Sequence, residues 1–323
     1  MKPIFSLFLA TLGFGVANHA QAQTWPAKPL LAVVPVAAGS LTDTISRLVS
    51  DRLSSQLGQA VIVENRTGAG GTIATAFVAK SQADGYTLLV HSNSHTIAPA
   101  LYPTLSYHPA RDFAAITPLG ISPHVLIVSP DKRFKTIGDL VAAGKAKPGS
   151  LTFASVGVGT ATHLSAERFR ASAGIDALHV PFRGGPQAVT EVIAGRVDFF
   201  FGPVGLMLPQ IHDGKLVALV VNGSRRSAAL PNVPTISEVG LANAAFPIWF
   251  GMFAPAQTPR AIVDKLHDET IKALQAADVA DALARLAIDP MTMTADEFAA
   301  LVEKEVAANA ALVRMAGIKA QGD

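Results

Sequence analysis

The sequence predicts an α/β protein of two lobes, each built on a doubly wound sheet flanked by helices. Short apolar runs of strand length alternate with segments in which apolar residues recur every three or four positions. This β-α-β order occurs twice along the 323 residues with different sequences, and it is typical of open parallel sheets. Hydrophobic residues make up 50% of the chain and charged residues only 15%, a composition that favours folded domains over disorder.

The first predicted unit opens with a continuous apolar run at residues 30–36, as expected for a strand buried on both faces of a parallel sheet. A helical period follows over residues 41–57, and Gly58 suits the position just after a helix C-terminus. The remaining elements of this unit are a strand at 60–64, a helix that opens at the Gly-rich stretch 68–71 and runs to 79, and a strand at 86–91.

The second predicted unit repeats this order, and the chain then returns to the first. Residues 246–255 predict an extended crossing segment, and a helical C-terminal part follows, with a capping-box pattern from Thr294 to Glu297. We therefore expect one lobe from residues 23–121 with 249–323, the other from 122–248, and a ligand cleft between them. The elements predicted in the second unit are strands at 125–128, 151–154, 177–182, 197–201 and 216–221, and helices at 137–146, 160–171 and 186–194.

Residues 1–22 have the pattern of a secretory signal peptide. A basic start at Lys2 precedes an apolar run at 4–16, which is shorter than the ~20 residues that a membrane-spanning helix needs. Ala20-Gln21-Ala22 fits the small-residue cleavage site of such peptides. We expect cleavage after Ala22 and a soluble periplasmic protein, with an uncleaved membrane anchor as the alternative.

Charge and cysteine content exclude several classes of protein. The 26 Lys and Arg residues nearly balance the 24 Asp and Glu residues, and the formal net charge is only +2. Without a basic patch, a nucleic-acid partner is not expected. The chain contains no cysteine, which excludes disulfides, zinc–thiolate sites, iron–sulfur clusters and thiol nucleophiles. No cofactor is expected.

Three loops at the ends of predicted strands, at residues 37–43, 92–96 and 155–163, are rich in glycine, small residues and hydroxyl groups. Ligands of open α/β sheets bind at the carboxyl ends of strands. The first and third loops lead into helices, whose N-termini offer N–H groups to a carboxylate or phosphate. Ordinary helix capping is the alternative for any single loop, but three such loops in two lobes favour a cleft. The candidate ligand-binding residues here are Ala38, Gly39, Ser40, Thr42, Asp43, Ser92, Asn93, His95, Ser155, Gly157, Val158, Gly159, Thr160 and His163.

Two charged residues outside these loops are further candidates. Arg183 follows the predicted strand at 177–182, where its guanidinium group could bind a carboxylate through two hydrogen bonds. The alternative is that Arg183 is a solvated loop residue. Asp198 lies in the apolar strand predicted at 197–201, where a carboxylate is costly unless it is paired. A structural partner is therefore the alternative to a ligand contact for Asp198.

The sequence lacks the motifs of common catalytic classes. There is no G-x-S-x-G nucleophile elbow, and the Gly-rich stretch 68–72 lacks the lysine of a phosphate-binding loop. His91 and His95 are four residues apart, but His91 falls on a predicted strand and no carboxylate adjoins the pair, so no metal site is expected. A periplasmic hydrolase using Ser155 or Ser40 remains an alternative to a binding protein.

Eleven stretches between residues 25 and 255, in family order, resemble the periplasmic receptors of tripartite tricarboxylate transporters, known as Bug-type receptors. Each stretch alone is weakly specific, whereas their common order is strongly specific. The stretches are 25–30, 34–43, 63–71, 83–88, 99–103, 111–113, 157–160 with His163-Leu164, 179–184, 195–198, 230–235 and 253–255.

The resemblance implies a Venus-flytrap, type II-like periplasmic binding protein and not an enzyme. It implies that backbone amides and hydroxyls of loops 38–43 and 155–160 hold a small organic acid, such as a di- or tricarboxylate, an aromatic acid or an acidic amino acid. The partners implied are the large and small membrane subunits of the transporter, and we expect a monomer. A ligand-presenting adaptor for a sensor kinase would share this fold. Ser40 stands where the family usually has a second glycine; the two alternatives for this departure are that its hydroxyl adds a donor for the carboxylate or that its Cβ narrows the pocket.

Overall fold

Two five-stranded sheets form the framework of the protein, as seen in a computed structural model that describes residues 25–223, 226–246 and 248–315. The predicted signal peptide at residues 1–22 lies outside the described residues. We call the first sheet with its helices the first lobe, and the second sheet with its helices the second lobe. Within the described part of the chain, no helix is both long and apolar enough to cross a bilayer.

The first part of the chain supplies four strands and three helices of the first lobe. The helix predicted at residues 41–57 is confirmed with the same bounds, and the predicted strands move by one or two residues at their ends. The elements are β1 (Leu30–Val34), α1 (Leu41–Leu57), β2 (Val61–Asn65), α2 (Thr72–Ala79), β3 (Thr87–Ser92), α3 (Ser94–Leu101) and β4 (Phe113–Ser122).

Two of these elements escaped the sequence analysis. Helix α3 has eight residues and contains Pro99, and proline inside a short segment argues against a helix. Strand β4 contains Pro118 and Gly120 and pairs with register shifts, so it lacks the regular alternation by which strands are recognised.

The second lobe holds the next nine elements. The helix predicted at 137–146 is again confirmed with its bounds. The strand predicted at 197–201 begins two residues later, which leaves Asp198 outside it. The elements are β5 (His124–Val128), α4 (Ile137–Ala146), β6 (Leu151–Ser155), α5 (Ala161–Ala173), β7 (Ala177–Pro181), α6 (Gly185–Ile193), β8 (Phe199–Pro203), α7 (Val204–His212) and β9 (Val217–Val221).

The chain then returns to the first lobe, as the crossing segment predicted. Strand β10 (Ile248–Pro255) inserts between β3 and β4, and three helices follow it: α8 (Arg260–Gln275), α9 (Ala277–Arg285) and α10 (Ala295–Met315). The capping box predicted at the start of the last helix is present, because Thr294 and Glu297 exchange hydrogen bonds.

Each sheet has three parallel strands and one strand that arrives from the other lobe. The first sheet has the order β2-β1-β3-β10-β4, in which β10 runs antiparallel to both of its neighbours. The second has the order β7-β6-β8-β5-β9, in which β5 is antiparallel to both of its neighbours. The carboxyl ends of the parallel strands therefore lie along one edge of each sheet.

Helices cover both faces of each sheet, because successive side chains of a strand point to opposite faces. In β3, Leu88 and Val90 pack with α1 and α8, whereas Leu89 packs with α2 and α10. In β8, Phe199 packs with α4 and α5, whereas Phe200 packs with α6 and α7. This three-layer arrangement confirms the doubly wound α/β fold predicted for each lobe.

Phe298 joins α10 to the first sheet, and its loss is expected to destabilise the fold. The side chain is fully buried, with its ring centroid 5.2 Å from those of Trp249 and Phe253. We expect Phe298→Ala to lower the free energy of unfolding by about 3–5 kcal/mol, because it leaves a cavity between layers. The measurement is urea denaturation. Leu178→Ala, at a side chain that is 59% exposed, is the control; equal losses in both variants would contradict the predicted role.

Candidate ligand-binding site

A small cavity of about 50 Å³ lies between the two lobes, at the carboxyl edges of both sheets. Ligands of open α/β sheets bind in this position. The N-termini of α1 and α5 both face the cavity, so two helix starts converge on one space. Its lining comes from Val36, Ser40, Leu41, Thr42, His91, Ser92, Ser94, Ile248 and Phe250 of the first lobe and from His124, Val156, Thr160, Ala161, Thr162, Gly185, Pro203 and Leu206 of the second.

A larger groove of about 810 Å³ lies elsewhere, between the segment at residues 226–229 and helices α8 and α9. Its described lining is mostly apolar, and its charged members are Arg226 and Asp289. None of its described lining residues is the first residue of a helix. The smaller cavity is therefore the better candidate for a polar ligand.

The start of α1 provides donors without a side-chain cap. Ser40 is the N-cap residue, and its side chain accepts no hydrogen bond from the helix. Its Oγ is buried and has no hydrogen-bond partner among the described residues. The first N–H groups of a helix have no intrahelical acceptor and carry the positive end of the helix dipole. Ser40 and these N–H groups can therefore hold a carboxylate.

Asp43 fixes the loop that leads into α1. Its Oδ2 accepts hydrogen bonds from Gly39 N at 2.9 Å and Arg47 Nε at 3.1 Å, and its Oδ1 accepts one from Asn65 Nδ2 at 2.9 Å. Burial raises the pKa of Asp43, but the hydrogen bonds from Arg47, Gly39 and Asn65 outweigh this effect, and the pKa lies below its ordinary value. Both oxygens are used within the protein, so the residue positions the loop, and the ligand contact predicted for Asp43 stays a prediction.

The loop between β6 and α5 uses most of its donors internally. Val156 N donates to Thr162 Oγ1 at 3.0 Å, Gly157 N to Ser155 Oγ at 3.0 Å, and Gly159 N to the Nδ1 atom of His163 at 3.3 Å. Thr160 caps α5, because its Oγ1 accepts from His163 N at 3.4 Å. Of the candidates here, only Thr160 lines the cavity; the others shape the loop.

A hydroxyl–imidazole contact lies behind this loop. Ser155 Oγ is 2.6 Å from the Nε2 atom of His179, and the rings of His163 and His179 are 4.2 Å apart. Ser155 is fully buried and does not line the cavity, so its hydroxyl cannot reach a substrate there. Ser40 does reach the cavity, but its Oγ has no base as a hydrogen-bond partner in the described structure. The geometry therefore gives no support to the hydrolase alternative.

Four candidate residues are not part of the cavity lining. His95 is in the core, where Nε2 hydrogen-bonds Pro109 O and the ring packs edge-on against Phe113. Asn93 is buried, with its N–H donated to Trp249 O, and Arg183 is exposed after β7. The cavity lining contains none of these three residues, and Asp198 is also absent from it. The structure therefore gives no support to the ligand contacts predicted for these four residues, which stay predictions.

Asp198 is a structural residue at the opposite edge of the second sheet. It precedes β8, where Oδ2 accepts from Thr152 N at 2.8 Å and Thr152 Oγ1 at 2.9 Å, while Oδ1 lies 2.7 Å from Lys132 Nζ. This is the paired environment that a buried carboxylate requires.

Ala38 and Gly39 are exposed in the first loop, whereas Ser92 lines the cavity as predicted. Sequence reasoning passed over several lining residues. Ser94 stood in a candidate loop but was not selected, and His91 was considered only as a metal ligand. His124 gave no signal, because it is a lone histidine that reaches the cavity only through the position of β5. Within the described residues, no group of three or more His, Asp or Glu is placed to hold a metal ion.

Burial keeps the cavity histidines neutral. Desolvation lowers the pKa of His91 well below its ordinary value, with a smaller contribution from His95, and it lowers that of His124 to about 3. At neutral pH these rings therefore offer hydrogen bonds and no positive charge.

The lobes contact each other directly beside the cavity. Ala161 N, at the start of α5, donates to Ser94 Oγ at 2.7 Å, and Tyr102 OH donates to Val158 O at 3.2 Å. On the other side, Gly184 packs so closely on Ala37 that a Cβ there would come within 2.9 Å of the Ala37 side chain. Contacts between the lobes therefore flank the cavity.

Removal of the Asp198 carboxylate is expected to affect stability. We expect Asp198→Ala to lower the free energy of unfolding by about 1–3 kcal/mol, because Thr152 and Lys132 lose their acceptor. Urea denaturation measures this loss. Asp213→Ala, which removes an exposed pair with Lys215, should cost less than about 1 kcal/mol; a loss for Asp198→Ala no larger than that would contradict the structural role.

The buried histidines predict lower stability in acid. Burial lowers the pKa of His95, His124 and His163 to about 3, against an ordinary value of 6.5. Below pH 6.5 the unfolded chain binds more protons than the folded one, so the free energy of unfolding falls by up to about 1.4 kcal/mol per pH unit for each histidine. Above that pH this contribution is complete and constant.

Urea denaturation at pH 7 and pH 5.5 tests this prediction. His95→Phe should reduce the pH dependence, because it removes one titrating group from the core. Phe253→Leu, at a ring that packs on His95, controls for destabilisation and should leave the pH dependence unchanged. A wild-type protein with equal stability at the two pH values would refute the prediction.

Comparison with known sequences shows clear relatives. The sequence profile of the family described as "Tripartite tricarboxylate transporter family receptor" matches residues 45–318. A UPF0065 protein from the tcbD–tcbE intergenic region of Pseudomonas sp. strain P51 is 40% identical over 265 residues, 82% of this chain and 79% of that protein. BugT of Bordetella pertussis strain Tohama I is 34% identical over 98% of this chain and 97% of its own.

Solved structures agree with the sequence matches. The periplasmic binding protein BugD has a TM-score of 0.88 at 32% identity, over 92% of this chain and 100% of its own. MatC of Rhodopseudomonas palustris, with bound malate, has a TM-score of 0.86 at 32% identity, over 90% of this chain and 100% of its own. Rpa4515 of R. palustris, with adipate, has a TM-score of 0.87 at 29% identity, over 92% of this chain and 99% of its own. With the profile covering most of its length, this chain belongs to the family of tripartite tricarboxylate transporter receptors, to which the Bug-type proteins are related.

Proposed function

We propose that this protein is an extracytoplasmic receptor that binds a small carboxylated organic molecule and delivers it to a tripartite tricarboxylate-type transporter. The observation that carries the proposal is the start of α1, where the buried Ser40 Oγ lacks a partner in the described part of the chain and faces a cavity between two lobes. A carboxylate oxygen there would accept from Ser40 and from the first N–H groups of the helix.

The scaffold around this position supports binding without large rearrangement of the loop. Asp43 ties Gly39, Arg47 and Asn65 together, and Asn65 Nδ2 also donates to Val36 O at 2.9 Å. The donors of α1 are thus held in place before a ligand arrives, which lowers the entropy cost of binding.

We further propose that residues 23–121 with 249–323 and residues 122–248 form the two lobes, which close around the ligand by a hinge motion. The membership of the strands in the two sheets supports this division. Crossings at β4–β5 and before β10 would supply the hinge.

The proposed site of action is the periplasm, after export and cleavage behind Ala22. The N-terminal sequence pattern supports export, and the relative BugD is described as a periplasmic binding protein. The proposed partners are the large and small membrane subunits of the transporter, and the receptor would act as a monomer. Malate and adipate in the structures of two relatives support a carboxylate as the ligand class.

Ser40 provides the test of this function. We expect Ser40→Ala to weaken carboxylate binding by about ten- to 150-fold, since a hydrogen bond to a charged group contributes about 1.5–3 kcal/mol. Isothermal titration calorimetry with malate, adipate, butyrate and benzoate measures the effect.

The matched control is Ser46→Ala on the same helix. Ser46 is also buried and its Oγ also lacks a partner among the described residues, but it does not line the cavity. Its loss should leave affinity unchanged. Equal affinity in the wild type and Ser40→Ala would refute the assigned site, and no binding of any carboxylate would refute the receptor function.

A further inference from the structure

Among the helix starts that line the cavity, those of α1 and α5 differ in the donors they offer. At α1, the cap residue makes no side-chain bond to the helix. At α5, Thr160 N donates to Gly157 O at 3.3 Å, Ala161 N donates to Ser94 Oγ at 2.7 Å, and His163 N donates to Thr160 Oγ1 at 3.4 Å. The N–H groups of Ala161 and His163 at the start of α5 are thus engaged by side chains, whereas no side chain caps α1. The N–H groups of the two cap residues do not differ, because Ser40 N donates to Ala37 O just as Thr160 N donates to Gly157 O.

Ser94 has a central part in this difference, because it belongs to the opposite lobe. It is the first residue of α3, only 3% exposed, and its Oγ also accepts a hydrogen bond from Ser92 Oγ at 2.9 Å. Its oxygen lies 2.7 Å from Ala161 N, which is the distance at which a carboxylate oxygen would accept the same N–H. Ser94 therefore occupies the place of a second carboxylate.

The rest of the cavity offers no charge to compensate a second anion. Among its described lining residues none is Lys or Arg, and His91 and His124 are fully buried with a lowered pKa. An ionised carboxylate taken from water without a charged partner or strong donors carries a large desolvation cost.

The surface beyond α1 is instead suited to an apolar group. Val156, Pro203 and Leu206 of the second lobe face Ile248 and Phe250 of the first. Burial of hydrocarbon against these side chains is favourable in proportion to the area removed from water.

From these contacts we propose that the site selects a monocarboxylate with a small apolar body, anchored at α1, and that Ser94 excludes a second carboxylate from α5. The proposal rests on the carboxylate-receptor function and narrows its ligand class. Ser94 is thus a specificity-determining residue. Its neutral hydroxyl accepts the hydrogen bond from Ala161 N that the second carboxylate of a dicarboxylate would need.

Calorimetric titration with three matched pairs of acids tests the proposal: butyrate and succinate, hexanoate and adipate, and benzoate and terephthalate. Within each pair the second acid adds only a carboxylate. The wild type should bind the monocarboxylate of at least one pair about tenfold more tightly than its partner. Ser94→Ala should lower the ratio of monocarboxylate to dicarboxylate affinity by about threefold or more, because Ala161 N becomes available to the second carboxylate.

Tyr102→Phe is the matched control. It also removes one hydrogen bond between the lobes, to Val158 O, but leaves the start of α5 untouched, so it should leave the ratio unchanged. Thermal melting confirms that each variant is folded, and if Ser94→Ala fails to fold, the wild-type ratio alone decides.

The possible outcomes separate the two proposals. Dicarboxylates that bind the wild type as tightly as their matched monocarboxylates overturn the inference and leave the receptor function standing. A ratio unchanged by Ser94→Ala, or changed equally by Tyr102→Phe, overturns the role of Ser94. If none of the six acids binds, the receptor function and the inference both fall.

Discussion

The common direction of the parallel strands in each sheet determines where the cavity between the lobes lies. In each sheet three parallel strands end along one edge, and the helices that follow them begin there. The strands that cross between lobes, β5 and β10, run antiparallel to their neighbours, as they must when a chain enters a sheet from the other lobe. The two carboxyl edges consequently meet, and the cavity, its helix starts and the contacts between lobes all follow from this meeting.

Buried polar groups of the two lobes fall into two sets with different roles. Asp43 and Asp198 are paired with donors of their own lobe and hold backbone in position. Ser40 and Ser94 are neutral hydroxyls on opposite sides of the cavity, one without a partner among the described residues and one bonded across the lobes. Because a buried carboxylate must be compensated whereas a hydroxyl is tolerated, the acidic residues brace the loops and the hydroxyls face the ligand.

A binding site of this kind has little need of basic side chains. Helix starts supply fixed positive potential at no cost in side-chain ordering, and the surrounding apolar wall strengthens it by excluding water. The same burial keeps the nearby histidines neutral. Their neutrality ties the stability of the fold to pH while leaving the charge of the cavity unchanged near neutrality.

The sequence by itself determined the fold class, most strands and helices, and the two loops that carry the facing helix starts, because apolar periodicity and glycine-rich turns are local signals. It also marked Ser40 as the departure from the family pattern. It missed β4, α3 and α7, where prolines obscure the period, and it did not show that Asp43, His95 and Asp198 have partners within the protein. Only the tertiary structure decided which polar groups have partners. Asp43 meets Asn65, Asp198 meets Lys132, and Ser94 meets Ala161, and these pairs are 22, 66 and 67 residues apart in the chain. Whether a donor remains available to a ligand depends on such distant neighbours, which no local pattern encodes.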